Sequence, residues 1–152
     1  MDTVVMVKID SLRFALPVDH VKKVIWAVEI TPLPGQSQRL LGLINVEGLA
    51  VPVANFRNLI NLPDRELELD DHMIVVDTNN GPIAIVIDSV EQVLHCRPEQ
   101  LQTLDASTQS FAGAVVKLED EMIFVIDPNM LISSADLGKK PAAAAASNQA
   151  VL

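Results

Sequence analysis

Short apolar runs alternate with brief polar turns along most of the chain. Val4-Val5-Met6-Val7-Lys8-Ile9 and Leu12-Arg13-Phe14-Ala15-Leu16 flank Asp10-Ser11, the pattern of a β-hairpin. Leu40 to Val46 and Leu49 to Val53 flank Glu47-Gly48, and Met73 to Asp77 and Ile83 to Ile87 flank a turn containing Asn80-Gly81. A fourth pair, Ala114 to Leu118 and Met122 to Ile126, flanks Glu119-Asp120-Glu121. The runs are rich in Val and Ile, residues that suit a pleated, packed surface. Helix signals are short. Asp19, Asn55, Asp88 and Asp127 stand at N-cap positions, and Pro128 follows Asp127 as a favoured first helical residue. Met130, Leu131 and Leu137 would then face the core. Pro17 and Pro52 lie inside strand-like runs and assign those positions to an edge or a bulge, because proline lacks the ladder N–H.

The pattern repeats. Ala15 to Ile25 is in register with Ala84 to Leu94 at an offset of 69. Gly42-Leu43-Ile44-Asn45-Val46 resembles Gly113-Ala114-Val115-Val116-Lys117 at an offset of 71, and both lead through a hairpin into a capped segment. A tandem duplication explains both blocks better than coincidence does. Two copies are too few for a solenoid, so the expected fold is mainly β, two tandem SH3-like five-stranded barrels with short helices. The acidic stretch Asp64 to Asp71 reads as a solvated linker between the halves. The Ala-rich segment 139–152 reads as a disordered tail.

Composition narrows the function. Of the 152 residues, 20 are Asp or Glu and 11 are Lys or Arg, a net charge of −9 that excludes a nonspecific nucleic-acid binder. Four Phe, one Trp and no Tyr leave an aliphatic core and no stacking platform for single strands. The single cysteine, Cys96, allows no internal disulfide and fits a cytoplasmic setting. The N-terminus does not resemble a signal peptide, and no apolar run is long enough to insert in a membrane. No nucleophile–base constellation, phosphate loop or metal-ligand spacing occurs, so neither a catalytic residue nor a cofactor or metal is expected. His95 and Cys96 are the only adjacent soft ligands, and neighbours on a strand point to opposite faces. A small-ligand barrel is disfavoured because no polar residues converge with aromatics. A binding module remains. Trp26 is either core or a partner anchor, with core the preferred reading.

The run Thr31-Pro32-Leu33-Pro34-Gly35, then Leu41-Gly42-Leu43-Ile44-Asn45-Val46-Glu47-Gly48 and Val51-Pro52-Val53, resembles the CheW-like family of bacterial chemosensory adaptors. Gly42, Asn45, Gly48, Pro52 and Val53 match its pattern, with Phe56 in place of a leucine. Ile85-Val86-Ile87-Asp88-Ser89-Val90 and Gly113-Ala114-Val115 through Ile126-Asp127 and Leu131-Ile132 resemble its later blocks, so the resemblance covers about Val4 to Ser134. It implies a single domain over 1–138, with halves of about 1–62 and 72–138 between which elements are free to exchange. It also implies a scaffold with two partners, the regulatory domain of a CheA-type histidine kinase and the cytoplasmic tip of a chemoreceptor, recruited to membrane receptor arrays. On that basis Val21, Lys23, Val24, Glu47, Gly48 and Val93 are assigned to a receptor groove and its charges, and Met73 and Ile74 to the kinase contact. Two departures stand out. The family's Arg in N-x-R-G is Glu47, and its acid after the first capped turn is Lys23. Together they suggest an ion pair of reversed polarity, with two unrelated surface charges as the alternative. Such a change makes a partner protein of a pilus or polar-localisation pathway the second functional reading.

Overall fold

The computed structural model describes residues 3–35, 38–105, 111–133 and 136; the expectations for Leu137 and for the tail at 139–152 fall outside these residues. All four hairpins form. They pair β1 (Thr3–Ile9) with β2 (Leu12–Pro17), β4 (Leu40–Val46) with β5 (Leu49–Ala54), β6 (His72–Thr78) with β7 (Gly81–Ile87), and β10 (Ala112–Lys117) with β11 (Met122–Ile126). The remaining strands are β3 (Val21–Trp26), β8 (Ser89–His95) and the short β9 (Leu101–Thr103), and one helical turn, α1 (Phe56–Leu59), follows β5.

The strands assemble in two sheets, ordered β8-β1-β2-β11-β10-β9 and β3-β6-β7-β5-β4. Each sheet takes its central hairpin, β1–β2 or β6–β7, from one half of the chain and its other strands from the other half. The exchange follows the repeat: β5 runs parallel to β7 through Val53 and Ala84, and β11 runs parallel to β2 through Val125 and Ala15. Both sheets close by the same device, a third strand that bends and continues. Past β3, Thr31 exchanges two backbone hydrogen bonds with Leu43 of β4, at 2.8 and 2.9 Å. Past β8, β9 pairs with β10 from Ala114 to Val116. β9 is therefore the continuation of a fifth strand rather than an addition to the expected five.

Burial explains the apolar runs. Val4, Met6, Ala15, Val116, Ile123 and Val125 fill one barrel, and Ile44, Val51, Val53, Met73, Val75 and Ala84 fill the other. The opposite faces of β1, β2, β6 and β7 meet between the barrels. There Val5, Val7, Leu16, Ile74, Val76, Ile83 and Ile85 form a central layer. Strands covered on both sides lose the apolar–polar alternation of a half-exposed strand, and this is why Val4 to Val7 and Met73 to Val76 read as continuous runs. All four phenylalanines join this layer edge to face. Phe14, Phe56 and Phe111 are mutually 5.1 to 5.9 Å apart, and Phe124 packs on Phe111 at 5.7 Å.

Two of the four expected caps act as such. The Asn55 side chain accepts from Asn58 N–H at 3.2 Å, and the Asp127 side chain accepts from Asn129 N–H at 3.0 Å. The other two do not. Asp19 lies inside a three-residue 3₁₀ turn with no side-chain cap, and Asp88 leads directly into β8. Its carboxylate instead accepts from Asp10 N–H at 2.7 Å, tying the β7–β8 corner to the β1–β2 turn. Pro52 sits opposite Leu43 in β4, while pairing with β7 begins only at Val53, so the missing N–H falls where β5 has a single partner.

Gly42 decides the closure of the second barrel. A Cβ there would lie 2.2 Å from the Thr31 carbonyl oxygen, at a φ of +150°. Gly42→Ala must push the closing segment away, and we expect a loss of about 2–3 kcal/mol in urea unfolding, with exchange protection lost first at Leu43 N–H.

Candidate docking site at the rims of the central layer

β3 and β8 are edge strands with equivalent places in the two barrels, and each carries a bulge. In β3, Val21 opposes Val76 but Lys23 opposes Val75, so Lys22 is the extra residue. In β8, Val90 opposes Val7 but Gln92 opposes Met6, so Glu91 is the extra residue. Lys22 and Glu91 are 69 positions apart, matching the repeat. Each is held by an ion pair, Lys22 to Asp77 at 3.7 Å and Glu91 to Arg13 at 2.7 Å.

The bulges set the site. On a regular strand, residues three apart point to opposite faces. One inserted residue restores them to the same face. Val21 and Val24 therefore stand beside Val76 and Ile74, and Val90 and Val93 beside Val7 and Val5. Those four neighbours belong to the buried central layer. The layer thus continues past the last buried strand of each barrel as an apolar rim, with Val24 40% and Val93 54% exposed. The rims lie in different sheets. Val-x-x-Val, occurring at both 21–24 and 90–93, is the sequence signal for this arrangement, and the sequence reading did not use it.

Trp26 extends the first rim. It is 64% exposed, which corrects its assignment to the core. Its neighbour across the sheet is His72, beyond the aliphatic part of β6, and the two rings stack with centroids 4.3 Å apart. Val24, Trp26 and Val28 are all exposed along this stretch.

Lys23 and Glu47 do pair, Nζ to Oε2 at 2.9 Å. Lys23 points to the barrel-interior side of β3, opposite to Val24, and meets the β4–β5 turn. Glu47 and Gly48 both have positive φ, 54° and 88°, and the Asn45 side chain accepts from Gly48 N–H at 2.8 Å. The family-like Asn-x-x-Gly spacing is thus a turn device that presents residue 47 to solvent. The hydrogen bond from Lys23 holds the Glu47 carboxyl below the usual glutamate range. The structure therefore separates the expected site residues: Val21 and Val24 on one face of β3, the Lys23–Glu47 pair beyond its other face, and Val93 in the other barrel.

Met73 and Ile74 do not fit a kinase contact. β6 is an interior strand; Met73 fills a barrel and Ile74 the central layer, and both are fully buried. The expected solvated linker is exposed from 64 to 70, and only its last residue departs from that reading. Asp71 is buried, accepts from Glu68 N–H at 2.8 Å, and pairs with Arg65 at 3.0 Å. Arg65 also reaches Glu68 and Asp88, each at 3.5 Å, and so straps the segment across the barrel junction. Glu68, Asp70 and Asp71 gather their carboxylates within 4.8 Å, but Asp71 already carries the Arg65 guanidinium. His95 lies exposed beside the Thr3 hydroxyl at 3.0 Å, with Cys96 buried on the other side.

A double barrel with apolar edge-strand rims defines a class, a binding domain that presents paired surfaces. The family model for the CheW-like domain matches residues 3–136, and the chain belongs to that family, the non-catalytic coupling adaptors of chemotaxis systems. It is similar to the chemotaxis protein CheW of Thermotoga maritima (strain MSB8), 27% identical over 127 residues that cover 82% of this chain and 83% of that one. It is also similar to the chemotaxis protein CheW of Bacillus subtilis (strain 168), 22% identical over 135 residues, 86% of each chain. The crystal structure of the scaffolding protein TtCheW from Thermoanaerobacter tengcongensis has the same fold, with a TM-score of 0.76 at 22% identity over 86% of this chain and 91% of that one.

The depressed Glu47 carboxyl has a pH consequence. A carboxylate lowered in the folded state favours that state above its unfolded value, and this contribution is lost as pH falls through the folded value. Side-chain NMR titration should place Glu47 below an ordinary glutamate, and Lys23→Met should return it to the ordinary range. High salt should narrow the difference between the two proteins.

Proposed function

We propose that this chain couples chemoreceptors to a CheA-type histidine kinase, with the receptor's helical tip lying on the rims built by β3 and β8. The observation that carries this reading is the bulge-set alignment of Val21 with Val24 and of Val90 with Val93. It gives two apolar ridges continuous with the central layer, the surface that the apolar face of an amphipathic helix needs. The exposed Trp26 adds a large anchor to the first ridge. The regulatory domain of the kinase is the second partner. Recruitment to membrane arrays then comes through the receptor, and no helix among the described residues is long and apolar enough to cross a membrane. The relatives named above are chemotaxis proteins, which supports this reading over a pilus or polar-localisation pathway.

The reversed Lys23–Glu47 pair bears on which partner is chosen. Charge at a rim changes encounter and discrimination more than fold stability. Glu47 is the outer member of the pair, 79% exposed at the side chain, and presents a carboxylate where the family pattern has a guanidinium. A partner that meets the turn must supply a cation there.

Val24→Asp and Val93→Asp should each weaken binding to a receptor tip fragment at least tenfold, about 1.4 kcal/mol, in isothermal titration. Both side chains are already exposed, so Tm should change little, and kinase association should persist. Unchanged receptor affinity in both variants would remove the rims from the site. The double exchange Lys23→Glu with Glu47→Arg should shift preference between receptors with cationic and anionic tips, again with little change in Tm.

A further inference from the structure

Away from the rims, a recess of about 190 Å³ lies beneath residues 64–67, where the two barrels meet. Ile9, Ala54, Phe56 and Val86 make its apolar floor, and Leu41 and Leu67, 38% and 37% exposed, stand at its mouth. A cavity of ~150 Å³ admits a benzene ring, so this recess has room for one leucine or phenylalanine side chain. Four carboxylates, from Asp64, Glu66, Asp71 and Asp88, and two guanidiniums, from Arg57 and Arg65, also line it. The guanidiniums are committed. Arg57 binds both oxygens of Asp10, at 3.1 and 2.9 Å, and Arg65 binds both oxygens of Asp71, at 3.0 and 3.1 Å. Asp64 and Glu66 have no cationic partner among the described residues.

We propose that this recess is a second protein-docking site, one that takes a single apolar anchor side chain from a partner segment carrying Lys or Arg on either side of that anchor. The apolar floor supplies the burial for the anchor, and the two uncompensated carboxylates select its cationic neighbours. The opposite flank charge is rejected by the same carboxylates. This excludes a second copy docking by its most exposed apolar side chain. Leu69 is 95% exposed, but it lies between Glu68 and Asp70 and would bring carboxylates onto carboxylates. None of the rim residues Val21, Val24, Trp26, Val90 or Val93 lines the recess, so this site stands apart from the receptor surface proposed above.

The test uses three short capped peptides, Gly-Lys-Leu-Lys-Gly, Gly-Glu-Leu-Glu-Gly and Gly-Lys-Ser-Lys-Gly, added to the full chain with labelled methyl groups. The Lys-Leu-Lys peptide should shift the Ile9, Ala54, Val86 and Leu67 methyls saturably. The Glu-Leu-Glu peptide should need at least tenfold more for the same shift, and the Lys-Ser-Lys peptide should leave the floor methyls unmoved. Asp64→Lys with Glu66→Lys, both on the surface segment, should reverse the flank preference. Val86→Phe should fill the recess and abolish the Lys-Leu-Lys shifts while receptor-fragment binding at the rims continues. Equal response to the two leucine peptides, equal response to leucine and serine, or shifts confined to β3 and β8 would each overturn the proposal. So would binding that survives Val86→Phe. If Val86→Phe does not fold, the charge-reversal variant decides alone, and an unchanged flank preference overturns the site.

Discussion

The apolar layer between the barrels is the contact on which the rest of the structure depends. Among the described residues it holds eighteen buried side chains, against seven and six inside the two barrels. A barrel of about sixty residues is marginal when it buries only its own interior. Here each barrel uses its outer face as a second core. The four central strands β1, β2, β6 and β7 are covered on both sides and supply half of the buried apolar side chains among the described residues. Exchange of strands between the halves makes the arrangement one cooperative unit. Neither half of the sequence can complete a sheet, since each hairpin from one half pairs with at least one strand from the other.

This dependence also creates the exposed apolar rims. A central layer shared by two barrels must end somewhere, and it ends at β3 and β8, which pair on one side only along Val21–Trp26 and Ser89–His95. An ordinary edge strand would be blunted by charge on its outward face. The bulges at Lys22 and Glu91 do this only in part. They place one charged residue in an ion pair beside the strand and turn two valines onto the layer's own face. Apolar character therefore extends into solvent at two equivalent places, while Lys22 and Glu91 guard the neighbouring backbone. The rims are thus by-products of the duplication.

Much of the architecture was legible because local chemistry dictates it. The hairpins are fixed by turn residues such as Asn45, Gly48 and Asn80-Gly81, and the Asn55 and Asp127 caps by their own side chains. The repeat was visible in Ala15 to Ile25 and Ala84 to Leu94. What was not legible depends on which strand lies next to which. A residue's alternation shows that it is covered but not by what, so Met73 and Ile74 looked available although both faces of β6 are occupied. Trp26 looked buried because it ends an apolar run, yet the run outlasts the strand that would have covered it, and only His72 remains opposite. Asp88 looked like a cap because it stands just before periodic apolar residues, but the backbone N–H its carboxylate binds belongs to Asp10, far away in sequence.

Charge shows the same division between local and tertiary causes. The net charge of −9 keeps the surface acidic, but individual carboxylates differ in what holds them. Asp71 is buried on Arg65, Asp10 is clasped by Arg57, and Glu47 is tethered by Lys23. In each case the cation is the member that lies closer to the apolar interior, with its aliphatic stem packed and its head paired, except at Asp71, where the acid is the more buried partner. Where the cation is inside, the acid is what a partner meets. Reversing the polarity of the Lys23–Glu47 pair therefore leaves the turn and the closure of the barrel intact and changes only the sign presented outward. A fold that fixes its turn with Asn45 and Gly48, rather than with the ion pair, is free to vary the sign it presents there.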